Sequence, residues 1–211
     1  PVLNEAEGIT ATLQALQQGA GWLHAAADST AVYTATAGAP VQRVEREWVY
    51  LAPDVVVVFD RVTTSPGTTQ RWQLNTPTLP AVAGATATVV DGATTLRSRR
   101  VIPDVAGTTV FDWTADPDVS GGFRLDETIA GGAQTFLHVL SFGNSVTAAT
   151  RSDAGGRQGV VIELADGRDV TVRFSITGVD GTLLITAAGG ATLVSAALTA
   201  TVTAVPELAP G

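Results

Sequence analysis

The chain contains no cysteine and no methionine, and all twelve of its basic residues are arginine, so lysine is missing as well. Without thiols there is no disulfide framework, no thiolate nucleophile and no soft sulfur ligand for a metal. The absence fits a secreted bacterial protein that avoids stray disulfides, and it equally fits one that never leaves the cytoplasm. A secreted, extracellular or periplasmic location is the expectation carried forward. Positive charge is scarce: 12 basic against 20 acidic residues give a net charge of −8. That balance opposes the counterion-release attraction behind nucleic-acid binding. No apolar run reaches membrane-spanning length. The usual catalytic signatures are also missing, with no G-x-S-x-G elbow, no P-loop and no glycine-rich dinucleotide fingerprint.

What remains is a chain of 211 residues, 45% hydrophobic and only 15% charged, long enough to bury a large core. Runs of Val, Thr, Ala, Ile and Phe recur between Gly, Pro, Asp and Asn clusters, the spacing of an all-β protein. The expectation is a large antiparallel β-sandwich of about a dozen strands or more. It covers 1–204, with a softer boundary near 102–121 and a Pro-containing tail or linker at 205–211. No repeat at a solenoid or propeller period is present.

Val55–Phe59 and Thr135–Phe142 are apolar on both alternating faces, so they read as central strands. Arg43–Tyr50 alternates, with Val44, Trp48 and Tyr50 on one side and Glu45 and Glu47 on a face expected to be wet. Val160–Leu164 and Val170–Phe174 flank Asp166-Gly167 and read as a hairpin with a type I′ turn, with weaker versions at Asp91-Gly92 and Asp180-Gly181. Ile9–Gln18 fits a short helix or a strand equally.

Several segments carry a family resemblance. Ala27-Asp28-Ser29-Thr30-Ala31-Val32-Tyr33 matches a "gD.t.aY" pattern, and Arg46 through Pro53-Asp54-Val55-Val56-Val57-Val58-Phe59-Asp60-Arg61-Val62 matches "R.v..l.pd.vvvfDrv". Gln70-Arg71-Trp72-Gln73-Leu74-Asn75-Thr76-Pro77 matches "..r..lh.p", and Thr135–Leu140 matches "fLhvl". In this order they resemble the C-terminal β-sheet region of the heparinase II/III-like polysaccharide lyases. The Pro53–Val62 segment is the most specific of them. Asn75 stands where the family pattern has His, a position that some members use in a metal site.

Such lyases join an α/α toroid to the sheet region, with the active site in the cleft between them. The resemblance implies that this chain forms one wall of an acidic-polysaccharide cleft in a larger enzyme working by β-elimination. It also implies that the chain alone lacks a complete catalytic site. The alternative is a non-catalytic extracellular structural or adhesive module that self-associates or binds surface glycans.

Eliminating a uronate glycoside needs a group to neutralise the carboxylate, a base and an acid. His24, read as an exposed imidazole or else a structural histidine, and Tyr33 are the catalytic candidates, with Arg71, Asn75, Trp72 and Trp48 as substrate-binding residues. His138 shares a strand face with Phe136, Leu140 and Phe142 and reads as a core histidine. Asp60 lies among valines and needs a partner, with Arg46 and Arg71 as candidates. No cofactor is expected unless Asp112, Asp116 and Asp118 supply hard oxygens to Ca²⁺; the alternative is solvated turn carboxylates.

Overall fold

The computed structural model describes residues 10–34, 38–115 and 122–203. The fold is all-β, and the described residues form sixteen strands in three antiparallel sheets. The largest sheet has the order β1-β2-β3-β4-β11-β8-β7-β6. These strands are β1 (Thr12–Gly19), β2 (Trp22–Asp28), β3 (Val41–Leu51), β4 (Val55–Thr64), β6 (Ala81–Ala83), β7 (Thr86–Asp91), β8 (Thr94–Ile102) and β11 (Ala133–Phe142). A five-stranded meander follows: β12 (Val146–Arg151), β13 (Arg157–Leu164), β14 (Asp169–Ser175), β15 (Asp180–Thr186) and β16 (Thr192–Thr199). The third sheet is β5-β10-β9, from β5 (Thr69–Thr76), β9 (Gly107–Asp112) and β10 (Phe123–Ala130).

Side-chain parity sorts these sheets into layers. Val49, Leu51, Val55, Val57, Phe59, Leu137 and Val139 project from one face of the large sheet into a single core with Val160, Ile162, Val172, Phe174 and Leu183 of the meander. Phe59 stacks on Phe174 at 4.9 Å, nearly parallel. The opposite face carries Asp60, Phe136 and His138, and there the three-stranded sheet packs, with Trp72 of β5 stacked on His138 at 3.7 Å. β4 and β11 pair side by side in the middle of the large sheet, as their uninterrupted apolar pattern requires.

Local chemistry decides one open reading and departs from the sequence reading in three places. The segment given as helix or strand is β1. The β13–β14 hairpin forms, with Val160 opposite Val172, but Asp166 keeps negative φ and only Gly167 is left-handed at +86°. Gly167 N–H bonds the Leu164 carbonyl and Leu164 N–H bonds the Arg168 carbonyl, the pattern of a turn closed by a glycine bulge and not type I′. Asp180-Gly181 is no turn; both residues open β15, where a Cβ on Gly181 would meet the Arg173 carbonyl at 2.4 Å. Finally, the Glu face of β3 is dry: Glu47 is fully buried because Arg61 and His24 reach it from the neighbouring strands. The 205–211 tail lies outside the described residues.

Candidate functional site

Both histidines are held in Arg–Glu–His triads, one on each face of the large sheet. On the meander side, Glu47 accepts from Arg61 and from His24 Nε2 at 2.8 Å. Arg61 also donates to the carbonyls of Ser175 (2.7 Å) and Gly178 (2.8 Å), which ties the meander to the large sheet. His24 is therefore not the exposed imidazole its irregular sequence surroundings suggested. It is 0% exposed, with Nδ1 3.1 Å from Gln17 Oε1.

On the other face, Glu127 of β10 accepts from Arg100 and His138 Nε2, each at 2.7 Å. Burial, the largest influence, pushes the His138 pKa below the ordinary 6.5, against the opposing pull of Glu127. The ring is thus neutral at neutral pH. The unfolded chain takes up a proton near 6.5 while the buried ring waits for lower pH, so the unfolded state binds more protons in that interval and stability falls on acidification. His138→Gln, which keeps an N–H donor for Glu127, should flatten the melting-temperature profile as pH falls below 6.5. An unchanged slope would remove His138 from this role.

A cavity of about 630 Å³ opens on the His138 face of the large sheet. Its rim and walls come from a helical turn, from β3, β4 and β11, and from β5. The helical turn is α1 (Thr30–Thr34), and the residues before it hold it in place. Asp28 accepts from the Thr30 N–H at 2.8 Å, and the Thr30 hydroxyl accepts from the Val44 N–H at 3.0 Å. This fixes the turn against β3 and puts Tyr33, 38% exposed, on the cavity rim. The "gD.t.aY" segment is therefore a capped turn that delivers a phenol.

The cavity floor holds the ion pair between Arg46 and Asp60, which are cross-strand neighbours. Arg46 Nε donates to Oδ1 at 2.5 Å and Nη2 to Oδ2 at 2.9 Å, the bidentate geometry that guanidinium and carboxylate favour. Burial works against the Arg46 charge, but the Asp60 carboxylate outweighs it and raises the pKa of the guanidinium above its ordinary value. Arg46 is thus the Asp60 partner, as one of the two sequence candidates. The other, Arg71, projects from β5 to the rim with its side chain 53% exposed, only 3.9 Å from Asp126. Trp48 of β3 lines the wall, and Trp72 lines the same space from β5 while its ring is buried against His138.

Of the candidates named from sequence, Tyr33, Trp48, Trp72 and Arg71 meet at this one cavity. Asn75 is exposed on the same strand as Arg71 but beyond the cavity. His24 lies on the opposite face of the large sheet, so it and Tyr33 do not converge on a common ligand. Asp112 accepts from the Thr114 hydroxyl at 2.6 Å and its N–H at 2.9 Å, which hold its pKa below the ordinary 3.8. Asp116 and Asp118 lie outside the described residues, and among the described residues no cluster of three His, Asp or Glu suits a metal.

Sequence reasoning missed Gln70, Gln73, Ser29 and Phe136 as cavity residues, and Glu47 and Glu127 as histidine partners. The only signal was indirect: two isolated histidines in apolar strands require buried acceptors. Which Glu supplies each depends on strand register and on which sheet packs above.

No family model matches the sequence, and no curated protein matches it. The fold does have solved counterparts. Heparan sulfate lyase HepC from Pedobacter heparinus superposes with a TM-score of 0.58 at 11% identity, over 79% of this chain and 28% of that one. A heparinase III gene product gives a TM-score of 0.57 at 8% identity, over 78% of this chain and 27% of its own. At fold level the chain is thus similar to the β-region of heparinases, and it spans little more than a quarter of the length of those enzymes.

Proposed function

We propose that this module forms one wall of a binding site for an acidic polysaccharide, supplying recognition rather than a complete catalytic set. The observation that carries this reading is the cavity in which a rim guanidinium, Arg71, stands beside the aromatic surfaces of Trp48 and Tyr33. Flat indole and phenol rings suit the apolar faces of sugar rings, and a solvent-facing guanidinium suits a carboxylate or sulfate. The Arg46–Asp60 pair fixes the floor and leaves little charge of its own to offer. The heparinase-like fold supports a glycan as the ligand class, because the known enzymes of that fold include a heparan sulfate lyase.

Chemistry on this wall is limited by its residues. Tyr33 is the phenol on the rim, and the two imidazoles are buried and hydrogen-bonded to Glu47 and Glu127. A second half of the cleft would supply what β-elimination lacks here. Titration of the chain with heparan sulfate, alginate and hyaluronan oligosaccharides, followed by tryptophan fluorescence, tests the reading. Binding to at least one is expected, weakened about tenfold in Arg71→Gln, the loss of one charge-assisted contact. Equal affinity in the variant would take Arg71 out of the site, and no binding to any acidic glycan would end the reading.

A further inference from the structure

We infer that the glycan path does not end at the cavity but continues along the outer face of the β5-β10-β9 sheet, where Asn75 and Arg124 form a second contact point. The inference rests on the glycan reading above and extends it. Arg71 and Gln73 line the cavity rim, and both project outward from β5, as does Asn75 two positions further on. At the rise of an extended strand, Arg71 and Asn75 lie about 13 Å apart. A single sugar ring in the cavity does not cover that distance, whereas a chain leaving it along β5 does.

The second contact point is built and rigid. Arg124 lies directly across from Asn75, and Phe111 directly across from Arg124 on the far strand. Its guanidinium sits 4.8 Å from the Phe111 ring and 5.1 Å from the Trp113 ring. It also donates to Asp126 through Nε at 2.7 Å and Nη2 at 3.3 Å. Asp126 is only 1% exposed and takes a further bond from Gln73 Nε2 at 3.1 Å. The carboxylate thus lies beneath its donors, and an approaching ligand meets Arg71, Gln73, Asn75 and Arg124 first. On a chain of net charge −8, a row of two guanidinium and two carboxamide groups matches an anionic, hydroxyl-rich polymer better than an apolar protein surface.

Chain length is the discriminating variable. Matched disaccharides and hexasaccharides of heparan sulfate, alginate and hyaluronan are titrated calorimetrically into the chain and its Asn75→Asp variant. Asn75 is exposed, so the substitution leaves the melting temperature unchanged while placing a carboxylate against Arg124. The hexasaccharide should bind about tenfold more tightly than the disaccharide, and Asn75→Asp should remove that advantage without touching disaccharide affinity. Equal affinities for both lengths, or a hexasaccharide insensitive to Asn75→Asp, would overturn the outer path and leave the cavity reading intact. No binding at either length would defeat both.

Discussion

Glu47→Ala should destabilise the protein by about 3–5 kcal/mol, the cost of leaving a buried charge without its partner. Arg61 is 1% exposed and His24 is 0% exposed, so neither can turn to water when Glu47 is removed. Glu45 offsets the loss only in part, since at 3.7 Å it pairs with Arg61 without a hydrogen bond and is held by Arg43 through two bonds of 2.7 and 2.8 Å. In a chain of this length the loss corresponds to a drop of about 10 °C in melting temperature. Glu45→Ala provides the contrast, because its pair with Arg43 is partly solvated and is worth about 1 kcal/mol or less. Denaturant melts of the two variants check the argument. Equal effects would mean that burial does not set the strength of this network.

Glu127→Ala should cost a similar 3–5 kcal/mol, for the same physical reason on the other face. It strips a buried partner from Arg100 and removes the acceptor that orients His138. Here the loss reaches the cavity as well, because Trp72 is positioned by its stack on His138. A reduced melting temperature is therefore expected together with a changed tryptophan emission. Glu127→Gln keeps an acceptor oxygen and should retain more of both. A Glu127→Ala protein that melts as the wild type does would show that the triad is not a structural element of this layer.

The parts legible in the sequence are those governed by local patterning. The apolar run Val55–Phe59 and the Thr135–Phe142 segment could only be central strands, and they lie adjacent in the middle of the large sheet. The β13–β14 hairpin was equally open to reading, although its turn geometry was not, because one left-handed glycine serves a bulged turn as well as a type I′ turn. The polarity of β3 could not be read. Glu45 and Glu47 look like a wet face until Arg61 from β4 pairs with Glu47 and His24 from β2 hydrogen-bonds it.

The candidate site shows the same division. Trp48, Trp72 and Arg71 were recognisable as residue types suited to sugars, and Asp60 announced its need for an arginine by standing among valines. Their meeting point was hidden, since it depends on β5 leaving the large sheet to join β10 and β9 above it. Tyr33 reaches the same cavity only because Asp28 and Thr30 hold a five-residue helical turn against β3. The arginine–aromatic cluster on the outer face had no sequence signature at all, because Phe111, Arg124 and Asn75 come from three separate strands.

Recognition of an acidic glycan is proposed for the cavity above the large sheet, with its rim at Tyr33, Trp48 and Arg71. Mapping amide chemical shifts by NMR while heparan sulfate, alginate and hyaluronan hexasaccharides are added tests it most directly. Saturable shifts concentrated in α1, β3 and β5 are expected for at least one of the three. Saturable shifts confined to the meander strands β12 to β16, or no shifts with any of the three glycans, would contradict it.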